Sequence, residues 1–275
     1  SVPVIIPNVT NKPVISASAV CSALTINIGS SVTLNGSNTL TISGNLSNAG
    51  TLTCNSGVVS LTGAFTNTGT VNVNTGTVNY SGAAQTVLGI NYYHLTLSGS
   101  GTKTLTTGTT ALGGSLTFAG TATATGVVGL TIGGDVVLGN GTTFTAGAFT
   151  HNVAGNWTNN GGTFTPGTGT VNFTGNNASV NGTAASQTFN NITINKASGQ
   201  ALSFGGSTTT LNVGGTFTQT TGNFNAPTTM TVTGVFTLGG GNYNAGANLN
   251  LSNNYVKNST NFVAGSGTVS MLGAT

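Results

Sequence analysis

Between Leu61 and Gly82 the chain reads LTGAFTNTGTVNVNTGTVNYSG, with apolar residues at alternate positions and small polar residues between them. A period of two belongs to a strand with one buried face. The alternating runs last three to six residues and then break at Gly or Asn, the residues that most readily make turns. No sustained apolar spacing of three and four marks a helix. The pattern predicts many short strands and tight corners.

The strands recur at a fixed distance. Residues 40–57, LTISGNLSNAGTLTCNSG, align with residues 59–76, VSLTGAFTNTGTVNVNTG, at an offset of nineteen. Leu40 then meets Val59, Ile42 meets Leu61, Leu46 meets Phe65, Asn48 meets Asn67, Gly50 meets Gly69 and Cys54 meets Val73. The offset returns later, where Leu211, Met230 and Leu249 fall into one column and Phe217, Phe236 and Tyr255 into another. Phe224, Tyr243 and Phe262 form a third. Between these arrays the period drifts, with Gly134 and Gly155 twenty-one apart and Phe144 and Phe164 twenty apart.

Matched apolar columns over successive copies are the signature of a repeat protein. Physically they predict an all-β, parallel β-solenoid (a β-helix) with coils of about 19–21 residues, in which like side chains stack on like. A longer rhythm overlies the coils: TVNYSG at 77–82, TVNFTG at 170–175 and TVSMLG at 268–273. The reading is one solenoid segment over 1–275 with long units at 77–169 and 170–267. The third unit, from Thr268 to Thr275, breaks off with its apolar coil uncovered. The expected partners are therefore further repeats of the same chain or further subunits, stacked end to end.

Charge narrows the function. The chain has four Lys, no Arg, no Glu and one Asp, so charged residues are 2% of it, against roughly 25% in an ordinary domain. Lys12, Lys103, Lys196 and Lys257 are scattered singly, whereas nucleic-acid binding needs clustered cations, so no nucleic-acid partner is expected. No apolar run approaches a membrane helix, and the strands are too short for a transmembrane barrel. The opening SVPVIIPNV lacks the basic start and long apolar stretch of a signal peptide, so the chain reads as a mature or excised segment. Cys54 stands in a Leu/Val column and reads as a small buried thiol, although a disulfide with Cys21 stays open.

Several stretches carry a resemblance. NKPVISASAVCSALTINIGSSVTLNGSNTLTISGNLSNAGTL, GNWTNNGGTFTPGTGTVNFTG and SQTFNNITINKASG resemble the repeats of very long secreted surface proteins of the Bacteroidetes group. These include large adhesins exported by the type IX secretion system and the mobile adhesins of gliding bacteria. The resemblance implies a secreted, filamentous protein at the cell surface. It carries over no catalytic or binding residue, because the matched positions are Gly, Asn and apolar columns.

Candidate chemistry is sparse. Glycoside hydrolysis normally takes two carboxylates, and only Asp135 exists, in GGDVVLGNG, where it is expected to bond the turn backbone. Calcium sites of the Gly-Gly-x-Gly-x-Asp type are missing. His94 and His151 are fifty-seven residues apart with no acid or Cys beside them, and they read as solvated or turn histidines rather than zinc ligands. Trp157 reads as core. Exposed Tyr92, Tyr93 or Tyr255 are candidates to stack on surface glycans, with core packing preferred for Tyr255. A flat Thr array would suit ice, but Thr53 is followed nineteen later by Asn72 and Thr216 by Val235. No catalytic, cofactor-binding or metal-binding residue is assigned, and no cofactor is expected. The expectation is a structural, non-catalytic extracellular fibre or adhesin stalk. An ice- or glycan-binding solenoid ranks below it, and a carbohydrate-active β-helix enzyme ranks last.

Overall fold

The computed structural model describes residues 1–273; Ala274 and Thr275, the end of the third long unit, lie outside the described residues. Among the described residues there is no helix, and every regular element is a short strand. The chain divides into two compact units, Ser1–Val128 and Gly129–Thr275. Each is a parallel β-solenoid.

In the first unit, three long ladders rise coil by coil beside a shorter one from Gln85–Thr86 through Ser100–Thr104 to Thr121–Thr125. One runs from Ala19–Cys21 through Thr39–Ile42, Val58–Leu61 and Thr77–Tyr80 to His94–Leu97 and Leu116–Phe118. The second runs from Pro3–Ile6 to Phe65–Asn67, and the third from Val14–Ile15 to Thr70–Asn72. The second unit repeats the plan. Its faces run from Val136–Leu138 to Asn261–Val263, from Thr131–Ile132 to Tyr255–Lys257, and from Ser186–Phe189 to Thr268–Met271. Every pairing is parallel, as a chain winding in one sense requires.

The columns read from the sequence are the register of the sheets. Leu40 pairs with Val59 and Ile42 with Leu61; Leu211, Met230 and Leu249 lie side by side; Phe217, Phe236 and Tyr255 do the same. Within a strand such as Thr229–Val232, Met230 and Val232 are wholly buried while Thr229 and Thr231 face outward. Each large side chain removed from water contributes about 1.5–3 kcal/mol, and no single coil can bury its row without neighbours.

Coil length varies more than the expected nineteen to twenty-one. Thr77 pairs with His94, a step of seventeen, and Ile192 pairs with Phe217, a step of twenty-five. In the longest case the register shifts between Ile194 and Asn195, whose partners Gln219 and Thr221 leave Thr220 unpaired inside the strand Phe217–Thr221.

The corners explain the Gly and Asn content at particular places. A Cβ on Gly69 would stand 2.1 Å from the Gly50 carbonyl oxygen of the coil below, so backbone stacks on backbone with no room for a side chain. Among the described residues, Asn55 and Asn74 are the non-glycine residues with positive φ, at 49° and 50°. Asn tolerates this left-handed geometry better than other residues with a Cβ. The Asn74 amide also donates to Asn55 Oδ1 at 3.1 Å, and Asn55 donates to the Leu34 carbonyl at 2.7 Å.

Candidate functional surface and buried polar groups

Asp135, both histidines and three of the four lysines, Lys12, Lys103 and Lys196, are engaged by backbone. Asp135 precedes the strand Val136–Leu138, and its Oδ1 accepts the Asn156 N–H of the next coil at 2.7 Å. The expected bond to backbone is present, and it reaches across coils. Asn156 repeats the device by accepting the Ser179 N–H at 2.8 Å, and Asn45 accepts the Ala64 N–H at 2.9 Å. Asp135 therefore occupies a rung of an acceptor ladder that Asn otherwise fills.

The histidines differ from the expectation of solvated turn residues. His94 begins the strand His94–Leu97, and its Nδ1 accepts the Ser115 N–H at 2.9 Å, so it serves the same ladder. His151 is core: it is 1% exposed and packs edge-on against Phe144. Its Nδ1 accepts the Leu130 N–H at 3.2 Å, which leaves the proton on Nε2 to be donated to the Ala146 carbonyl at 2.9 Å. Burial holds its pKa below the ordinary value. The inward parity of THNV, with His151 and Val153 alternating, is the physical reason.

Two of the four lysines are also buried. Lys103 is 0% exposed and its ammonium meets the carbonyls of Gly82 at 2.6 Å, Ala83 at 2.5 Å and Ser100 at 3.2 Å, with Gln85 Oε1 at 3.0 Å. Lys196, 1% exposed, donates to Thr174 O at 2.6 Å and Ala154 O at 3.4 Å. Both thus end against carbonyls of a TVN-aromatic-x-Gly turn, once at Gly82 and once at Thr174. Desolvation lowers both pKa values, that of Lys196 to about 8. Sequence reasoning missed these cations, although Ile192, Ile194 and Lys196 share the inward parity.

The aromatic candidates sort by burial. Tyr92 is 4% exposed, so it is not a sugar-stacking residue. Its hydroxyl donates to Leu88 O at 2.7 Å and lies 2.9 Å from that of Tyr80, which in turn accepts the Leu88 N–H at 2.9 Å. Tyr93 is half-buried, edge-on to His94. Tyr255 is 39% exposed rather than core, although its ring still lies 5.6 Å from Phe236. Trp157 is buried between Phe164 and Phe189, as expected. Cys21 and Cys54 are free buried thiols, and desolvation raises the pKa of Cys54 to about 12.

No three of the described His, Cys, Asp and Glu residues come together as a metal set. Outward columns of Thr are interrupted: Thr51 pairs with Thr70, but Thr53 pairs with Asn72. Apolar side chains emerge at the first and last strands. A cavity of about 180 Å³ opens among Val4, Ile6, Ile15, Cys21, Leu24 and Leu40. In the last strand and just after it, Val269, Met271 and Leu272 are 48%, 58% and 61% exposed. No described helix is long and apolar enough to cross a membrane. No protein-family model matches the chain, and neither a curated protein nor a solved structure matches it.

Proposed function

We propose that the chain is a structural, non-catalytic segment of a secreted fibre or adhesin stalk at a bacterial cell surface. The observation that carries this reading is the fate of the titratable side chains. Asp135, His94, His151, Lys103 and Lys196 are all held by backbone groups of neighbouring coils, so they stiffen the winding instead of meeting in a cleft. General acid–base catalysis needs such groups free to reach a substrate. The ladders of parallel backbone bonds suit a load-bearing element, as in other stacked cross-strand architectures. The outer surface of Thr, Ser and Asn rests its solubility on hydroxyls and amides, which favours self-association.

The partners in this reading are further coils, from the same polypeptide or from other copies, set end to end against the apolar first and last strands; surface glycans are the candidate target of adhesion. Labelling intact source cells with a membrane-impermeant biotin reagent tests the location. Biotin on Lys12 or Lys257 in unbroken cells supports the proposal, and labelling only after lysis overturns it.

A further inference from the structure

We propose that the turn at Asn35–Gly36 is a self-modifying site, at which Asn35 converts spontaneously to aspartate and isoaspartate in the folded protein. The chain contains four Asn-Gly pairs: Asn35–Gly36, Asn140–Gly141, Asn160–Gly161 and Asn181–Gly182. In such a pair the backbone nitrogen of the glycine attacks Cγ of the asparagine side chain. A C–N bond forms, the side-chain nitrogen leaves as ammonia, and a five-membered succinimide remains. Water then adds to either ring carbonyl and opens it, giving aspartate or its β-linked isomer, so that water is consumed and ammonia released. The step needs a glycine nitrogen that is free to lose its proton, a mobile amide and a backbone able to bend.

The structure separates the four pairs on those requirements. Asn35 and Gly36 are both exposed, and Gly36 has φ 64° with no atom beyond its two chain neighbours within 4 Å of the place a Cβ would take. Asn35 is anchored through its own N–H to Ile15 O at 2.9 Å, while no hydrogen bond among the described residues holds the Gly36 N–H. At Asn160 the attacking group is occupied, because the Gly161 N–H donates to Asn159 Oδ1 at 3.0 Å. Asn181 lies inside the strand Ala178–Gly182, and its amide donates to Ser179 Oγ at 2.6 Å. A Cβ on Gly182 would stand 2.1 Å from Asn159 O, so that glycine has no freedom to swing. Asn140 is intermediate: the pair is exposed, but its Oδ1 lies 3.1 Å from the position of a Gly161 Cβ, packed on the next coil.

Conversion at Asn35 lowers the formal net charge of +3 by one and places a carboxylate on a unit that otherwise has no acid. The surface therefore acquires negative charge with age at one corner.

The test is to age the whole protein at mildly alkaline pH and follow each Asn-Gly pair by peptide mass spectrometry, with the urea-unfolded chain aged in parallel. The unfolded chain calibrates all four pairs without structural protection. Conversion of Asn35 in the folded protein at a rate near that of the unfolded chain, at least tenfold faster than at Asn160 or Asn181, is the expected result. N35Q should remove the early release of ammonia, because the longer side chain closes a less favourable ring. Equal rates at Asn35 and Asn181 in the folded protein overturn the proposal, as does an Asn35 that stays intact while the unfolded chain converts.

Discussion

The rings of Phe217 and Phe236 lie 5.0 Å apart, centroid to centroid, and 15° from parallel, although nineteen residues separate them. The same column continues to Tyr255, and a second stack of Phe224, Tyr243 and Phe262 packs edge-on against it. Stability in such a stack is the sum of each coil and its contacts with the coils on either side.

Phe236→Ala should therefore cost about 3–5 kcal/mol by leaving a cavity between two rings. The loss should stay local. Hydrogen exchange should quicken in the coils of Phe217, Phe236 and Tyr255 and change little in Ser1–Val128. Uniform loss of protection across the whole chain would show that the solenoid melts as a single unit instead.

The paired left-handed corners make a second expectation. Asn74→Ala forces an ordinary side chain into φ 50° and removes the bond to Asn55, so it should cost about 1–2 kcal/mol or more. Asn74→Gly loses the same bond but relieves the backbone, and it should be the milder of the two. Chemical unfolding of both variants checks this; an alanine variant as stable as the glycine one would mean the backbone geometry is of no account.

The buried cations set the alkaline behaviour. Lys196 titrates near 8 when folded and at 10.5 when unfolded, so between those values the unfolded chain binds more protons. Its contribution to stability must then rise with pH across that window. Lys196→Met removes the rise. Subtracting the variant's stability curve from that of the native protein cancels the thiols and phenols, and the difference should grow from pH 8 to 10. A flat difference would mean the ammonium is not desolvated.

His151 works in the acid direction. Its folded pKa lies below 6.5, so the stability it lends is complete above that pH and lost as the pH falls through the folded value. Protonation would put a second N–H against the Leu130 amide proton. His151→Phe should be less stable at neutral pH, having abandoned the Leu130 and Ala146 backbone groups, yet its acid limb should be shallower than that of the native protein. An equally steep limb in the variant would place the acid sensitivity elsewhere.

The sheet register was legible because every residue in a column repeats its neighbour's chemistry: Leu40 over Val59 and Phe217 over Phe236 both state the offset without any further knowledge. Where a coil carries an insertion the offset fades, and the pairing of Ile192 with Phe217 could not be read from period alone. The buried polar groups were hidden for another reason. Residue type argues that Lys and His belong outside, whereas parity in NITINK and THNV places them inside, and parity wins because the strands cannot twist one side chain outward without disrupting its neighbours. Tyr92 misled in the same way, since its hydroxyl finds the Leu88 carbonyl inside the coil. Asp135 was legible as a turn residue, but its reach to the next coil needed the stacked geometry.

These coils are proposed to form part of an extracellular fibre or stalk. Immunogold electron microscopy of the source cells, with an antibody raised to this segment, addresses this proposal most directly. Gold along filaments or projections outside the envelope is the predicted result. Gold confined to the cytoplasm would contradict the account.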